Sequence, residues 1–133
     1  MSSRFTATLL LLTCLPASSQ PPRGLAPLFN RIWQVTRTKP PAAPGSLYVF
    51  LPNGTLLMTS CGETYRVALW SRDPKLPNTI RLTEDGQLSA TLTVQNFNGA
   101  TVRLTRTLVR TGEKTTLTLA ALDKEFVCPD LPR

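Results

Sequence analysis

The sequence predicts an all-β protein, a small antiparallel up-and-down barrel of about eight strands. Three observations predict it: short segments alternate apolar and polar residues with a period of two, turn residues recur between them, and almost no segment has a helical period. A sandwich would fit the same pattern, but a closed barrel also removes the exposed edge strands.

The first twenty residues, MSSRFTATLLLLTCLPASSQ, are typical of a secretory signal peptide. Arg4 precedes a short apolar core over residues 5–15, and Ala17 and Ser19 have the spacing of a cleavage site. This core is shorter than the roughly 20 residues that a membrane-spanning helix needs, and no later segment reaches that length. We therefore expect residues 1–19 to be removed from a bacterial protein that is periplasmic or secreted.

Cys14 offers an alternative. The preceding Leu11-Leu12-Thr13 resembles a lipobox, in which the cysteine becomes the lipidated first residue. On that interpretation the protein is a membrane-anchored lipoprotein. Otherwise Cys14 is an apolar residue of the signal peptide and is discarded with it.

Residues 20–30 are rich in proline near their start and are predicted to be an N-terminal tether, which leaves residues 31–133 for the barrel. One short helical turn is expected at the start of the segment 28–33. The first strand is predicted over residues 32–38, with Trp33, Val35 and Arg37 on one face.

The next two strands, 47–51 and 55–60, flank Pro52-Asn53-Gly54, a strong hairpin signal because Asn-Gly tolerates positive φ angles. A further strand over 65–70 places Tyr65, Val67 and Leu69 on one face and Arg66, Ala68 and Trp70 on the other.

The second half contributes strands over 79–82, 88–94, 101–110 and 115–122, separated by turns that contain glycine or proline. The cleanest alternation puts Leu88, Ala90, Leu92 and Val94 on one face. In the last strand Leu117 and Leu119 alternate with polar or small residues.

Cys61 and Cys128 remain as a pair after export, and an oxidising compartment favours a disulfide between them. Such a bond would stabilise the fold by about 4 kcal/mol on the chain-entropy model. Two free thiols are the alternative. With no histidine in the chain, two cysteines make a poor metal site, and no metal is predicted.

The composition argues against an enzyme. Histidine, the commonest general base and the usual partner of a catalytic Ser or Cys, is absent. Nearly all carboxylates fall in predicted turns or in the C-terminal tail, and no Gly-rich phosphate loop occurs, so no catalytic residue and no cofactor is assigned. The net charge of +7 is scattered without aromatic interleaving, so no nucleic-acid partner is predicted.

Five large aromatic side chains of the first half are the candidates for lining a ligand cavity, because one face of each barrel strand points inward. The alternative is that they fill a solid core. They are Trp33, Tyr48, Phe50, Tyr65 and Trp70.

Three segments together resemble the bacterial lipocalin-like and META-type secreted domains: RIWQV at 31–35, FLPNGT at 50–55 and YRVALW at 65–70. The resemblance covers residues 31–122. It implies a lipocalin-like barrel that binds a small molecule.

Two functions are therefore expected. The first is a non-enzymatic barrel that binds a small apolar or amphipathic molecule. The second is an envelope interaction module or inhibitor, which would act on another protein through its surface. A hydrolase would require two carboxylates close together in a cleft.

Overall fold

The computed structural model describes residues 24–41 and 45–128. Their eight antiparallel strands close into a barrel in which each strand pairs with the next and the last pairs with the first. The predicted all-β up-and-down barrel is confirmed. The strands are β1 (Ile32–Lys39), β2 (Leu47–Phe50), β3 (Thr55–Ser60), β4 (Glu63–Arg72), β5 (Thr79–Glu84), β6 (Gln87–Phe97), β7 (Thr101–Leu108) and β8 (Lys114–Ala121).

The predicted signal peptide and Cys14 lie outside the described residues. Within the described ranges, no helix is long and apolar enough to cross a membrane.

The barrel interior is filled by the inward-facing apolar side chains of all eight strands. Each strand alternates between this core and the surface, as the pleat requires. On the predicted inward faces, Ala90 and Leu92 of β6 and Leu117 and Leu119 of β8 are buried, whereas Leu88 and Val94 of β6 are partly buried. The other buried apolar residues of the strands are Trp33, Tyr48, Phe50, Leu56, Ala68, Ile80, Leu82, Val102 and Leu104.

β1 departs from its predicted pattern at Thr36. Val35 pairs with Leu119 and Arg37 with Thr118, so Thr36 is an extra residue in a β-bulge. Its hydroxyl donates a hydrogen bond to the Thr118 carbonyl, 3.1 Å away. The bulge turns Arg37 to the exposed side, which corrects the expectation that Arg37 shares a face with Trp33 and Val35.

The segment before β1 packs against the barrel. A 3₁₀ helix, η1, spans Ala26–Leu28, slightly earlier than the predicted helical turn. Leu25 and Leu28 are almost fully buried, and the Leu28 carbonyl accepts a hydrogen bond from the indole Nε1 of Trp33 at 2.9 Å. Leu25 and Leu28 therefore belong to the core packing, which the prediction of a tether over 20–30 did not anticipate.

The predicted disulfide between Cys61 and Cys128 is present. It ties the turn between β3 and β4 to the segment that follows β8, across 67 positions of the chain. A disulfide is compatible with an extracellular or periplasmic protein.

Candidate functional site

The barrel has two ends of different character. At the first, called the Phe97 end, lie the turns at 51–54 and 98–100 together with η1. At the second, called the Cys61 end, lie the turns at 61–62, 85–86 and 109–113. Between them the core is packed, so the candidate sites are at the ends.

The Phe97 end is closed by aromatic packing. The ring of Phe29 stacks on Trp70 with centroids 4.7 Å apart, and the guanidinium of Arg72 lies 5.9 Å from the centroid of the Phe29 ring. The indole of Trp70 also donates a hydrogen bond to the Leu51 carbonyl at 2.9 Å. These contacts hold the segment before β1 against the end of β4.

Beside this packing lies a cleft of about 600 Å³. Arg31 lies at the edge of this cleft. The guanidinium of Arg31 donates a hydrogen bond to the Gly99 carbonyl at 2.6 Å. A second groove, of about 510 Å³, lies on the other side of the Arg31 and Gly99 contact and is lined in part by Ile32, Ala121 and Leu122. The larger space, called the Phe97 cleft, is lined by Gly24, Leu25, Pro27, Arg31, Asn78, Val94, Gln95, Asn96, Phe97, Asn98 and Gly99.

The Phe97 cleft combines apolar and polar groups. Leu25, Pro27, Val94 and Phe97 supply apolar surface, whereas Arg31 and four side-chain amides supply hydrogen-bonding groups. Its volume falls in the range of roughly 300–1,000 Å³ that is usual for small-molecule pockets. Such a cleft can hold a small amphipathic molecule.

The Cys61 end contains a smaller and more polar space of about 200 Å³, called the Tyr48 pocket. Tyr48, Met58 and Arg66 are consecutive partners across β2, β3 and β4, and Arg106 reaches the pocket from β7. Its lining residues are Ser46, Tyr48, Met58, Thr59, Ser60, Glu63, Thr64, Arg66 and Arg106.

Two arginines line the Tyr48 pocket, and one of them forms an ion pair. Arg66 forms an ion pair with Glu84, with Nη2 and Oε1 2.5 Å apart. Burial favours the neutral form of Glu84, but hydrogen bonds from Ser89 and Arg66 outweigh it and lower the pKa of the carboxyl. Burial also raises the pKa of the Tyr48 phenol, and the positive charges of Arg106 and Arg66 offset part of that increase.

Of the five predicted lining residues, Tyr48 alone lines one of the three spaces described above. Trp33 and Phe50 are completely buried, and Trp33 meets Phe97 edge to face at 6.2 Å. Both therefore fill the core. Trp70 is partly buried and packs on Phe29 at the Phe97 end.

Tyr65 lies on the outer surface of β4, with 73% of its surface exposed. Its neighbours in alternation, Val67 and Leu69, are 51% and 59% exposed, because Ala68 takes the inward position between them. This placement corrects the expectation that Tyr65 faces the barrel interior.

Val67 belongs to an apolar row that continues around the outside of the barrel. Ile32 pairs with Val49, Val49 with Leu57, and Leu57 with Val67, across β1 to β4. We call this row, with Leu69 and Tyr65 beside it, the outer apolar ladder. Exposed apolar groups that lie together in this way are typical of interaction surfaces.

Sequence reasoning missed Arg66 and Arg106 as site residues, although a signal for both was present. In VRLTRTL (102–108), Arg106 occupies the same alternation as Val102 and Leu104, which are buried. Arg66 likewise shares its face with Ala68. An arginine at an inward position of a small barrel indicates a polar site inside it.

In the described part of the chain, no group of three or more Cys, Asp or Glu side chains is placed to hold a metal ion. Comparisons of the chain with protein-family models, curated proteins and solved structures found no match. The resemblance to lipocalin-like and META-type domains accordingly stays a prediction.

Proposed function

We propose that this chain is an exported, non-enzymatic β-barrel that binds a small apolar or amphipathic molecule in the Phe97 cleft. The observation that carries the proposal is the cleft itself, because about 600 Å³ of space opens beside Val94 and Phe97 with Arg31 at its edge. An apolar group of the ligand packs on Val94 and Phe97. A polar group meets Arg31 or the neighbouring amides.

The non-enzymatic part of the proposal is supported by the residues available for chemistry. The chain has no histidine, and the ion pair with Arg66 keeps Glu84 as a charged acceptor rather than a proton donor. Neither observation supports acid-base catalysis.

The test is a titration of the purified exported protein with a neutral apolar fluorophore such as N-phenyl-1-naphthylamine. We expect saturable binding, with NMR shift changes confined to residues around Val94 and Phe97. Val94→Gln should weaken binding at least tenfold, because it places an amide on the apolar wall. Val109→Gln is the matched control, since Val109 is half exposed in a turn at the other end.

Thermal unfolding of both variants checks that each is folded at the temperature of the titration. Absence of saturable binding, or equal binding by the two variants, would contradict the proposal.

The outer apolar ladder supports a second candidate function, an envelope interaction module. Val67→Asp/Leu69→Asp should lose a partner that the unmodified protein recovers from envelope extract. Leu76→Asp/Val109→Asp changes charge equally at apolar residues of similar exposure elsewhere, and should keep it. If no protein is recovered, or if both double variants lose it, this function is excluded.

A further inference from the structure

We propose that the Tyr48 pocket is a binding site for a small oxyanion, a carboxylate or phosphate group, held by Arg106, Arg66, Tyr48 and Ser60. This site is at the opposite end of the barrel from the Phe97 cleft. It does not depend on the function proposed for that cleft.

The first argument is the pair of polar groups that the fold leaves without partners. The Nε of Arg106 and the hydroxyl of Ser60 are buried, and neither has a hydrogen-bond partner in the structure. A buried polar group without a partner costs about 1–3 kcal/mol, and more if it carries a charge. Both residues line the same pocket, so one ligand that accepts hydrogen bonds would satisfy both.

The second argument is the charge of Arg106. Among the described residues the Arg66–Glu84 contact is the one ion pair, so Arg106 has no carboxylate partner there. Glu63 lies at the pocket's rim, but it is exposed and forms no ion pair with a described arginine or lysine. Arg106 therefore lacks an ion pair of its own. Glu84, which pairs with Arg66, attracts Arg106 only at longer range, so an anion in the pocket would be drawn to the arginine that has no direct carboxylate partner.

The third argument is the set of donors that converge on the pocket. Arg106 and Arg66 both lie close enough to the Tyr48 phenol for their charges to act on it. Their guanidinium groups, the phenol and the Ser60 hydroxyl come from β7, β4, β2 and β3. Arginine forks match the geometry of carboxylate and phosphate oxygens. No lysine lines the pocket, so the two arginine guanidinium groups are the cationic groups that would bind the oxyanion.

The size of the pocket limits the ligand. About 200 Å³ suits one oxyanion group, and it is below the roughly 300–1,000 Å³ of pockets that enclose larger molecules. Below it the interior is closed by packed side chains such as Phe50 and Leu56. Any apolar part of the ligand would have to point out of the mouth.

The test follows amide and side-chain NMR signals of the full chain during titration with inorganic phosphate at constant ionic strength. We expect saturable shifts at Tyr48, Ser60 and Arg106. Arg106→Gln should weaken phosphate binding at least tenfold, and Arg106→Lys should restore only part of it, because lysine keeps the charge but not the fork.

Arg103→Gln is the matched control, because it removes the same charge from the exposed face of the same strand. It should change phosphate affinity less than twofold. Glu63→Gln should strengthen binding about twofold, since it removes a like charge from the rim.

A parallel titration with octyl phosphate, below its micelle concentration, distinguishes a free anion from the head of an amphiphile. Equal affinity for the two compounds indicates a free oxyanion, and tighter binding of octyl phosphate indicates a head group. Both support the site if Arg106→Gln weakens the binding at least tenfold. No saturable shifts with either compound, or equal losses in Arg106→Gln and Arg103→Gln, would overturn it.

The two proposals fail separately. Arg106→Gln should leave binding of the neutral fluorophore unchanged, and Val94→Gln should leave phosphate binding unchanged. Thermal unfolding gives an independent reading, because phosphate should raise the midpoint of the unmodified protein more than that of Arg106→Gln. The general stabilising effect of phosphate is the same for both proteins.

Discussion

Two tryptophans show how the position of one residue determines its contribution to stability. The indoles of Trp33 and Trp70 each donate one hydrogen bond to a backbone carbonyl at 2.9 Å. Trp33 is fully buried, whereas Trp70 is partly exposed at the barrel end. Trp33→Phe should therefore lower the free energy of unfolding by about 2–3 kcal/mol, because it leaves a cavity and a buried carbonyl without a partner.

Trp70→Phe is the matched change and should cost about 1 kcal/mol, because water can reach the freed carbonyl. Urea unfolding of both variants gives the comparison. Equal costs would show that the packing around Trp33 is looser than the structure indicates.

Substitutions at Gly45 and Gly112 can distinguish the cost of backbone strain from the cost of side-chain crowding. Both have a φ of +72°, so alanine at either position costs about 1–2 kcal/mol for the left-handed conformation. A Cβ at Gly112 meets nothing within 4 Å, but one at Gly45 would overlap Sγ of Cys61. Gly45→Ala should cost about 1–3 kcal/mol more than Gly112→Ala in denaturant unfolding.

This excess should shrink in a Cys61→Ala/Cys128→Ala background, where the sulfur is gone. An excess that persists unchanged there would assign the cost to other neighbours, such as the ring of Phe126.

Tyr48 reports the charge of its pocket. In a Tyr65→Phe background Tyr48 is the one remaining tyrosine, and phenolate absorbance should give a pKa above the ordinary 10.0 because the phenol is buried. Arg106→Gln should raise this pKa further, since the lost positive charge favoured the phenolate. Arg103→Gln should change it less.

The raised pKa also has a consequence for stability. The folded state favours the neutral phenol, so its contribution to stability is complete below pH 10 and is lost as the pH rises through the folded pKa.

A Tyr48 pKa that is unchanged by Arg106→Gln would place the guanidinium away from the phenol.

For single residues, the sequence predicts which side chains share a face of a strand better than it predicts which side chains line a binding site. Alternation divided the residues of β4 between two faces, but it could not decide whether the face of Tyr65 or that of Ala68 points inward until the neighbouring strands were known. Tyr65 was a candidate for lining a cavity because it is a large aromatic residue, whereas the barrel places the small Ala68 inward and leaves Tyr65 exposed. The partners of Arg106 come from strands distant in sequence, so their convergence has no local signal.

Among the secondary-structure elements, the eight strands could be predicted from the sequence, whereas the β-bulge in β1 and the packing of the segment before it could not. Alternation and turn residues such as Asn53-Gly54 are local, and the predicted strands match β1 to β8 within a few residues at most ends. The bulge at Thr36 depends on its pairing with β8. Leu25 and Leu28 are buried because they cover one end of the barrel. The sequence around them is rich in proline, so local reasoning predicted a tether instead.

The Cys61–Cys128 bond is the element that joins the end of the chain to the barrel. Its long loop predicts that Cys61→Ala/Cys128→Ala lowers the free energy of unfolding by about 2–4 kcal/mol. Near-UV circular dichroism should stay native-like, because neither cysteine belongs to the buried core. Denaturant midpoints that are equal for the two proteins would contradict this prediction.

For the whole molecule, the seam between β1 and β2 is the least secure part of the closure. Strand pairing there extends only from Ile32 to Gln34 of β1. Two further hydrogen bonds flank it, from Val35 to the Ser46 carbonyl at 2.8 Å and from Asn30 to the Phe50 carbonyl at 3.3 Å. By contrast, β6 and β7 pair along nearly their whole lengths. The barrel should therefore open first along β2 and last at β6 and β7.

Hydrogen exchange can test this order, because local opening and global unfolding respond differently to the disulfide. In the unmodified protein, amides of β2 should exchange fastest among the strands and those of β6 and β7 slowest. Cys61→Ala/Cys128→Ala should reduce protection in β6 and β7 by the full loss of global stability, since these amides exchange only when the barrel unfolds. Protection in β2 should fall by a smaller factor, because its amides exchange through local opening of the seam. Equal factors in β2 and β7 would instead mean that the barrel opens as one unit and that the short β1–β2 pairing is no weaker than the rest.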